Sequence, residues 1–297
     1  MQEEGQFQQQ KEAKQDEKET LTVGIVGLGL IGGSMAKTIR KKLNCRICAY
    51  DKQIELMEQA KQEGVIDEVL DDKNLPLCRF LLIALYPAAA VSYVKEHGQH
   101  IGNDTIVMDL CGVKRAVCIP MMKLADEYAF SYIGAHPMAG TEKTGYANAR
   151  SDMFEGASMI LVPCHNTETD WEAAKAFSLS LGFGKVTPST MEEHDHIIAY
   201  TSQLAHVVSN AYVKSPTALL HHGFSAGSYR DLTRVAWLNE TMWTELFLDN
   251  DEYLIEEIDT LLESLAKYRN AIAQKDREGL KALLKDGRER KEQIDQR

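Results

Sequence analysis

Apolar positions along this chain follow two different rhythms, and the change between them comes near residue 188. Before it, short and nearly continuous apolar runs alternate with stretches of helical period. The runs at 21–27, 45–50, 79–85, 105–109, 131–135 and 158–162 read as strands, and Gly184-Lys-Val-Thr187 completes the sheet. Residues 31–42, about 53–62, the stretch after Tyr86-Pro87, 113 to about 127, and 168–181 read as helices. Arg79-Phe-Leu-Leu-Ile-Ala-Leu85 has almost no alternation, as suits a strand covered on both faces of a parallel sheet. This succession predicts an α/β doubly wound sheet, whose ligands lie at the carboxyl ends of the strands. Asp51, Tyr86 and Asp109 all fall at such ends.

After Pro188 the strands cease. Thr190-Met-Glu-Glu193 has the form of a capping box and opens one long helix reaching past His206. Leu254, Ile258, Leu261, Leu265, Tyr268 and Ile272 recur at steps of four and three, which gives a single apolar stripe for a core or a dimer seam. A last helix is expected from about Arg277, running into a charged tail with no regulatory domain after it. The organisation expected is a disordered polar arm at 1–20, a dinucleotide-binding domain at 21–187 and an all-helical domain at 188–297.

The turn between the first strand and the first helix reads Gly27-Leu-Gly29-Leu-Ile-Gly32-Gly33-Ser34. Gly27 permits a sharp turn, Gly29 lets a pyrophosphate approach the backbone, and Gly32 lets helix and strand pack closely. Leu30 and Ile31 then supply first-turn N–H groups to the phosphates. Asp51 stands 24 residues after Gly27 at the end of the second strand, the place for an acid on a ribose 2′-hydroxyl. Its charge disfavours a 2′-phosphate, so NAD is expected rather than NADP. Asp109, at a later strand end, is a further candidate on the cofactor. The turn and its βαβ surroundings predict a Rossmann-type domain.

Composition narrows the partners. The chain has 297 residues, 44% hydrophobic, with a formal net charge of −11. That charge argues against nucleic acid and anionic membrane as ligands. No run is long enough to span a bilayer, and the polar start has no apolar core of a signal peptide. Six cysteines without a disulfide-scaffold setting point to a reduced, cytoplasmic chain. Cys45 and Cys48 fall at an odd offset within a strand, which sends them to opposite faces and away from a shared metal. His194 and His196 likewise diverge on a helix, so no metal is expected.

Three groups of residues carry candidate chemistry. His136 follows a strand and precedes Pro137 and a glycine-rich loop with Thr141, Glu142 and Lys143. Ser202 and His206 form an i, i+4 pair. Arg230 and Arg234 share a helix face beside Asp231, an arrangement that suits an anion, with Trp237 and Trp243 downstream as core or interface.

With these segments together the chain resembles the prephenate/arogenate dehydrogenase family of tyrosine biosynthesis. The resemblance rests on GLGLIGGS at 27–34, Asp109-Leu-Cys-Gly-Val-Lys114, HPMAGTEKTG at 136–145, Glu193-His-Asp195, Thr201-Ser-Gln-Leu-Ala-His206 and Asp231-Leu-Thr-Arg234-Val-Ala, in family order. It implies a helical dimerisation domain and a homodimer. It implies His136 as the catalytic histidine on the ring hydroxyl, Arg234 on a substrate carboxylate, and Ser202 and His206 lining the same pocket. It also implies Glu142 and Asp231 as acids pairing with Arg234; Arg230 and Thr141 complete the candidate substrate residues. Two departures stand out: Gly112, after Cys111, replaces a serine common in the family, and Ala205 replaces a proline.

The implied reaction is NAD-dependent oxidation and decarboxylation of prephenate, or of arogenate, with tyrosine a candidate inhibitor because it resembles the product. A hydroxyacid or UDP-sugar type dehydrogenase would need a catalytic lysine or cysteine that these motifs do not offer. An NAD-responsive regulator would need a basic reading segment, which the charge opposes.

Overall fold

The structure, a computed structural model, describes residues 21–141 and 143–296. The expected arm at 1–20 and the candidate Glu142 lie outside the described residues. β1 (Thr22–Val26) is buried at every position and runs into the glycine turn, and α1 (Leu30–Lys42) follows. β2 (Arg46–Tyr50) and α2 (Ile54–Gln62) lead to a two-residue strand, β3 (Glu68–Val69). Both its residues are exposed, so it left no apolar run in the sequence to read. Next come β4 (Phe80–Ile83), α3 (Pro87–His97), β5 (Ile106–Asp109) and α4 (Arg115–Tyr128). β6 (Ser131–Pro137), β7 (Ser158–His165), α5 (Glu168–Ser180) and β8 (Lys185–Pro188) complete this part.

Among the described residues these strands form one eight-stranded sheet in the order β3-β2-β1-β4-β5-β6-β7-β8. Every pairing is parallel except β6 with β7. The chain leaves β1 toward β2 on one side and returns to β4 on the other. The glycine turn thus lies where the strand order reverses, the place where open α/β sheets bind ligands. Apolar layers cover both faces: Ile25, Ile39, Ile47 and Phe154 belong to one, Val26, Leu81, Val117 and Tyr132 to the other. Cys45 and Cys48 go to different layers, as period-two alternation requires.

The remaining elements are helical. α6 (Met191–Ile198) begins at the capping box, where Thr190 Oγ1 accepts the Glu193 N–H at 3.1 Å. The long helix expected here runs on past His206 to Tyr212, but it is not regular throughout. Residues Ala199–Leu204 make a π-helical turn before α7 (Ala205–Tyr212) continues. One inserted residue rotates the downstream helix by about 100° relative to a straight continuation. α8 (Gly227–Thr233), a 3₁₀ turn at Arg234–Ala236, α9 (Glu240–Leu248), α10 (Asp251–Ala273) and α11 (Arg277–Asp295) follow.

By its contacts the chain divides into two compact units. One runs through Asp195 and takes back Trp237–Asp249; the other comprises His196–Ala236 and Asn250 onward. Residues 188–195 and α9 therefore pack with the sheet rather than with the other helices. The reason is specific: Asp195 accepts amide N–H groups at the start of α4, and Glu245 accepts the Ala88 N–H at the start of α3, at 2.8 Å. In the helical unit, the stripe on α10 encloses Leu254 but leaves Leu265 and Ile272 54% and 61% exposed. Trp237 is 80% exposed and is no part of a core within the chain. No helix of the described residues is long and apolar enough to cross a membrane.

Candidate active site

The glycine turn has the shape a dinucleotide needs. Gly27 sits at φ +90°, and a Cβ there would lie 2.6 Å from the Ala84 carbonyl oxygen. A Cβ on Gly32 would lie 1.8 Å from the Gly27 carbonyl oxygen, so only glycine permits this close helix–strand approach. Gly29, by contrast, faces open space. It is the N-cap of α1 and contributes no side chain to the first-turn amides of Leu30, Ile31 and Gly32, and no acid occupies that turn. A helix start left in this way is an anion site. Asp51 Oδ2 accepts the Leu28 N–H at 2.8 Å and Oδ1 the Gln53 N–H at 3.0 Å. Each oxygen keeps a second lone pair, so the carboxylate is fixed beside the turn and still able to accept a sugar hydroxyl. These residues fit a nicotinamide dinucleotide.

Asp109, a candidate on the cofactor, is engaged within the protein. It is fully buried, and its carboxylate is engaged by the Lys114 ammonium, the Tyr132 hydroxyl at 2.7 Å and the Cys111 N–H at 3.1 Å. Lys114 Nζ also donates to the Ala135 carbonyl at 2.6 Å. Burial works against the Lys114 charge, but the Asp109 carboxylate overrides it and raises the pKa. Asp109 is thus the inner half of a buried ion pair that joins β5, β6 and the start of α4. The same carboxylate and, above all, burial push the Cys111 thiol well up, so it offers no thiolate near neutral pH.

His136 is half-buried near the end of β6. Its Nδ1 lies 2.9 Å from His194 Nε2, and His194 Nδ1 lies 2.7 Å from Asp195 Oδ1. Asp195 in turn accepts the Lys114 and Arg115 N–H groups at 2.7 and 2.8 Å, so its carboxylate sits at the N-terminus of α4. Burial, the His194 ring and the Lys114 charge hold His136 well below the usual histidine pKa. Burial likewise lowers His194, against the opposing pull of Asp195. On the far side of the His136 ring is Gly112. A Cβ there would lie 3.9 Å from His136 Nε2 and 3.5 Å from Leu246, an ordinary fit. The departure from serine therefore removes a hydroxyl from the immediate neighbourhood of His136 Nε2.

In the helical unit, Ser202 falls inside the π turn and His206 just beyond it. They meet through the backbone: His206 Nδ1 lies 2.9 Å from the Ser202 carbonyl oxygen. A carbonyl only accepts, so Nδ1 carries the proton and Nε2 is the acceptor nitrogen. Burial holds His206 below the usual value; the Ser202 carbonyl opposes this and the Arg234 charge adds to it. The buried Asn250 amide donates to Gln203 Oε1 at 2.8 Å and ties the π turn to the start of α10. Arg230, Asp231 and Arg234 are exposed. Among the described residues no ion pair joins Arg234 to Asp231, contrary to expectation. Between them the helix gives way to a 3₁₀ turn, and two exposed groups gain little by pairing, about 0–1 kcal/mol. Thr141 is exposed, and its hydroxyl accepts the Lys143 N–H at 3.3 Å.

Sequence reasoning assigned His194, Asp195 and Lys114 no role in the site. Helical spacing separated His194 from His196 correctly, since His196 stacks on Tyr253 at 5.0 Å. Spacing could not show that His194 meets a strand residue 58 positions earlier. The only signal was the recurrence of Glu193-His-Asp195 among the matching segments.

Comparison with known proteins adds to this geometry. Residues 35–184 match a family model described as prephenate dehydrogenase, nucleotide-binding domain, and residues 190–286 one described as prephenate dehydrogenase, dimerization domain. The chain is 29% identical to a prephenate dehydrogenase of Bacillus subtilis over 290 residues, covering 90% of this chain and 74% of the relative. It is also 29% identical to a cyclohexadienyl dehydrogenase of Zymomonas mobilis, covering 86% and 89%. A crystal structure of prephenate dehydrogenase from Aquifex aeolicus with hydroxyphenyl propionate and NAD+ superposes with a TM-score of 0.81. It is 26% identical and covers 94% of this chain and all of that one.

Proposed function

The chain belongs to the prephenate dehydrogenase family, and from that premise we propose that it oxidises and decarboxylates prephenate with NAD as hydride acceptor. The products are 4-hydroxyphenylpyruvate, CO2 and NADH. The observation that carries this reading is His136: a ring kept neutral by burial, in the same unit as the glycine turn, with Nε2 on the Gly112 side and Nδ1 on His194.

Prephenate is a cyclohexadiene whose C4 bears both a hydrogen and a hydroxyl. When bound, the nicotinamide ring supplies the acceptor for the C4 hydride. His136 Nε2 takes the hydroxyl proton as that hydride leaves, a general-base role suited to a neutral imidazole. The C4 oxygen becomes a carbonyl, the ring carboxylate departs as CO2, and the electrons of the broken C–C bond complete the aromatic ring. The ring oxygen then takes its proton back from Nε2, and His136 ends the cycle neutral. Arg234 supplies a charge-assisted bond to a substrate carboxylate, with Arg230 as its neighbour on the same surface. Ser202, His206 and Thr141 offer hydroxyl and imidazole contacts to the rest of the substrate. Asp51 holds the ribose and disfavours a 2′-phosphate; Gly27, Gly29, Leu30, Ile31 and Gly32 cradle the pyrophosphate.

Arogenate carries an amine where prephenate has the side-chain keto group, and the match to a cyclohexadienyl dehydrogenase keeps it as the second substrate. NADH absorbance decides among these readings. The expectation is turnover with prephenate and NAD, weaker with NADP. Faster turnover with arogenate would exchange the substrates, and no absorbance change with either would overturn the dehydrogenase reading.

The helical unit supports a homodimer: it matches a dimerization-domain model and leaves Leu265, Ile272 and Phe224 exposed. Light scattering is expected to give twice the chain mass, and Ile272→Arg to lower it. Tyrosine, close in shape to the product, is expected to raise the apparent KM for prephenate; unchanged initial rates would remove it as an inhibitor. Six free cysteines agree with a cytoplasmic location.

A further inference from the structure

His136 has two ring nitrogens, and the chemistry above needs one in particular to be the acceptor. The hydrogen bonds behind the ring decide which. At the far end, Asp195 Oδ1 already accepts the Lys114 N–H and Oδ2 the Arg115 N–H. The carboxylate is therefore the acceptor, and His194 Nδ1, 2.7 Å away, is the donor. A neutral imidazole carries a single N–H, so His194 Nε2 is an acceptor. His136 Nδ1 at 2.9 Å must then donate to it, which leaves the lone pair on His136 Nε2. Building on the dehydrogenase reading, we propose that His194 and Asp195 are positioning residues that hold His136 as the Nδ1–H tautomer and so keep Nε2 as the proton acceptor in every turnover.

The arrangement also serves the charged half of the cycle. When Nε2 takes the substrate proton, His136 becomes a cation, and no bond behind it changes partner: Nδ1–H still donates to His194, and His194 Nδ1–H to Asp195. The Asp195 charge steadies that cation through the intervening ring. It is held in place by two amide N–H groups and the start of α4 rather than by a mobile side chain. The charged groups around the pair are Asp195 on α6, Lys114 and Arg115 at the start of α4, and Asp109 on β5. Glu245 and Asp249, on and after α9, add negative charge on the Asp195 side.

The test uses the full-length protein labelled with 15N-histidine. Long-range 1H–15N correlation at about pH 8 reads the tautomer of each ring, and His136→Asn identifies the His136 signals. The expected spectrum shows His136 protonated on Nδ1 with Nε2 bare, and His194 likewise. His194→Leu removes the acceptor and is expected to bring Nε2–H into the His136 signal. It should lower kcat about 10²–10³-fold while KM for prephenate and NAD affinity stay within about 2-fold. His194→Gln, whose amide oxygen still accepts from Nδ1–H, is expected to restore kcat to within about 10-fold of the parent. A parent spectrum with Nε2–H on His136 would overturn the proposal. So would a folded His194→Leu with unchanged kcat, or equal losses in both variants with raised KM. Should His194→Leu fail to fold, the parent spectrum and the Gln variant decide. Failure of the dehydrogenase reading shows differently: the parent protein forms no NADH from prephenate or arogenate, whatever its tautomers.

Discussion

The sheet unit and the helical unit treat their apolar and charged residues in opposite ways. The sheet unit closes two apolar layers over itself and buries a charged pair, Asp109 and Lys114, completely. The helical unit encloses little beyond Ile198, Leu204, Leu254 and the Gln203–Asn250 pair, and it leaves long apolar faces and exposed ion pairs. A parallel sheet must be covered on both faces and so completes its own core. A set of amphipathic helices leaves one face over for another chain. Residues whose position depends on rigid enclosure belong to the first kind of surroundings, and the arginines proposed to bind a carboxylate belong to the second.

The largest expected effect is on turnover. His136→Asn is expected to lower kcat by about 10²–10⁴-fold with NAD affinity kept, checked by steady-state kinetics and fluorescence titration. Unchanged kcat would mean that the enclosed histidine is not the base. Next comes Asp109→Asn. It leaves Lys114 charged in a fully buried site, so a loss of about 3–5 kcal/mol in urea unfolding is expected. The helical counterpart is Arg288→Ala, which breaks the 2.5 Å pair with Glu292 on the exposed face of α11. There a loss of about 0.5 kcal/mol or less is expected, and a comparable loss at both positions would erase the contrast.

Arg234→Gln should act on binding rather than chemistry. Loss of one charge-assisted bond is expected to raise KM for prephenate about 10–100-fold with kcat nearly unchanged. A KM that does not move would shift carboxylate recognition to Arg230. A graded effect is expected on pH dependence. Both His136 and His194 have pKa values lowered from 6.5 in the folded chain. Below about pH 6.5 the unfolded chain binds protons that the folded chain refuses. Their contribution to stability is thus complete above about 6.5 and declines as pH falls toward the depressed folded values. The slope is at most about 1.4 kcal/mol per pH unit per ring. Denaturation midpoints measured between pH 5 and 8 should fall on the acid side, and less steeply in His194→Gln.

Much of this was legible in the residues. Among the described residues, apolar runs marked six of the eight strands; β8 was placed from Gly184-Lys-Val-Thr187, and β3, short and exposed, had no such mark. Gly27 and Gly32 could be read as obligatory because a Cβ has no room beside the turn, and Asp51 because its spacing from the turn is set by one βα unit. The capping box at Thr190 was likewise local. The π turn at Ala199–Leu204 was not, since a helical pattern of apolar residues continues across it and the extra residue is held by packing and by Asn250 on Gln203.

By itself, then, the sequence determined the alternation that makes the sheet, the switch to helices near 188, and the placement of a glycine turn and a histidine at strand ends. These depend on periodicity and on neighbours within a few residues. Only the tertiary structure decided that Asp109 is buried against Lys114, and that α9 packs with the sheet. It alone decided that His194 stands behind His136 with Asp195 behind it. Each of these depends on a polar group finding its partner across many residues of chain once water is excluded, and no local pattern records which partner that will be.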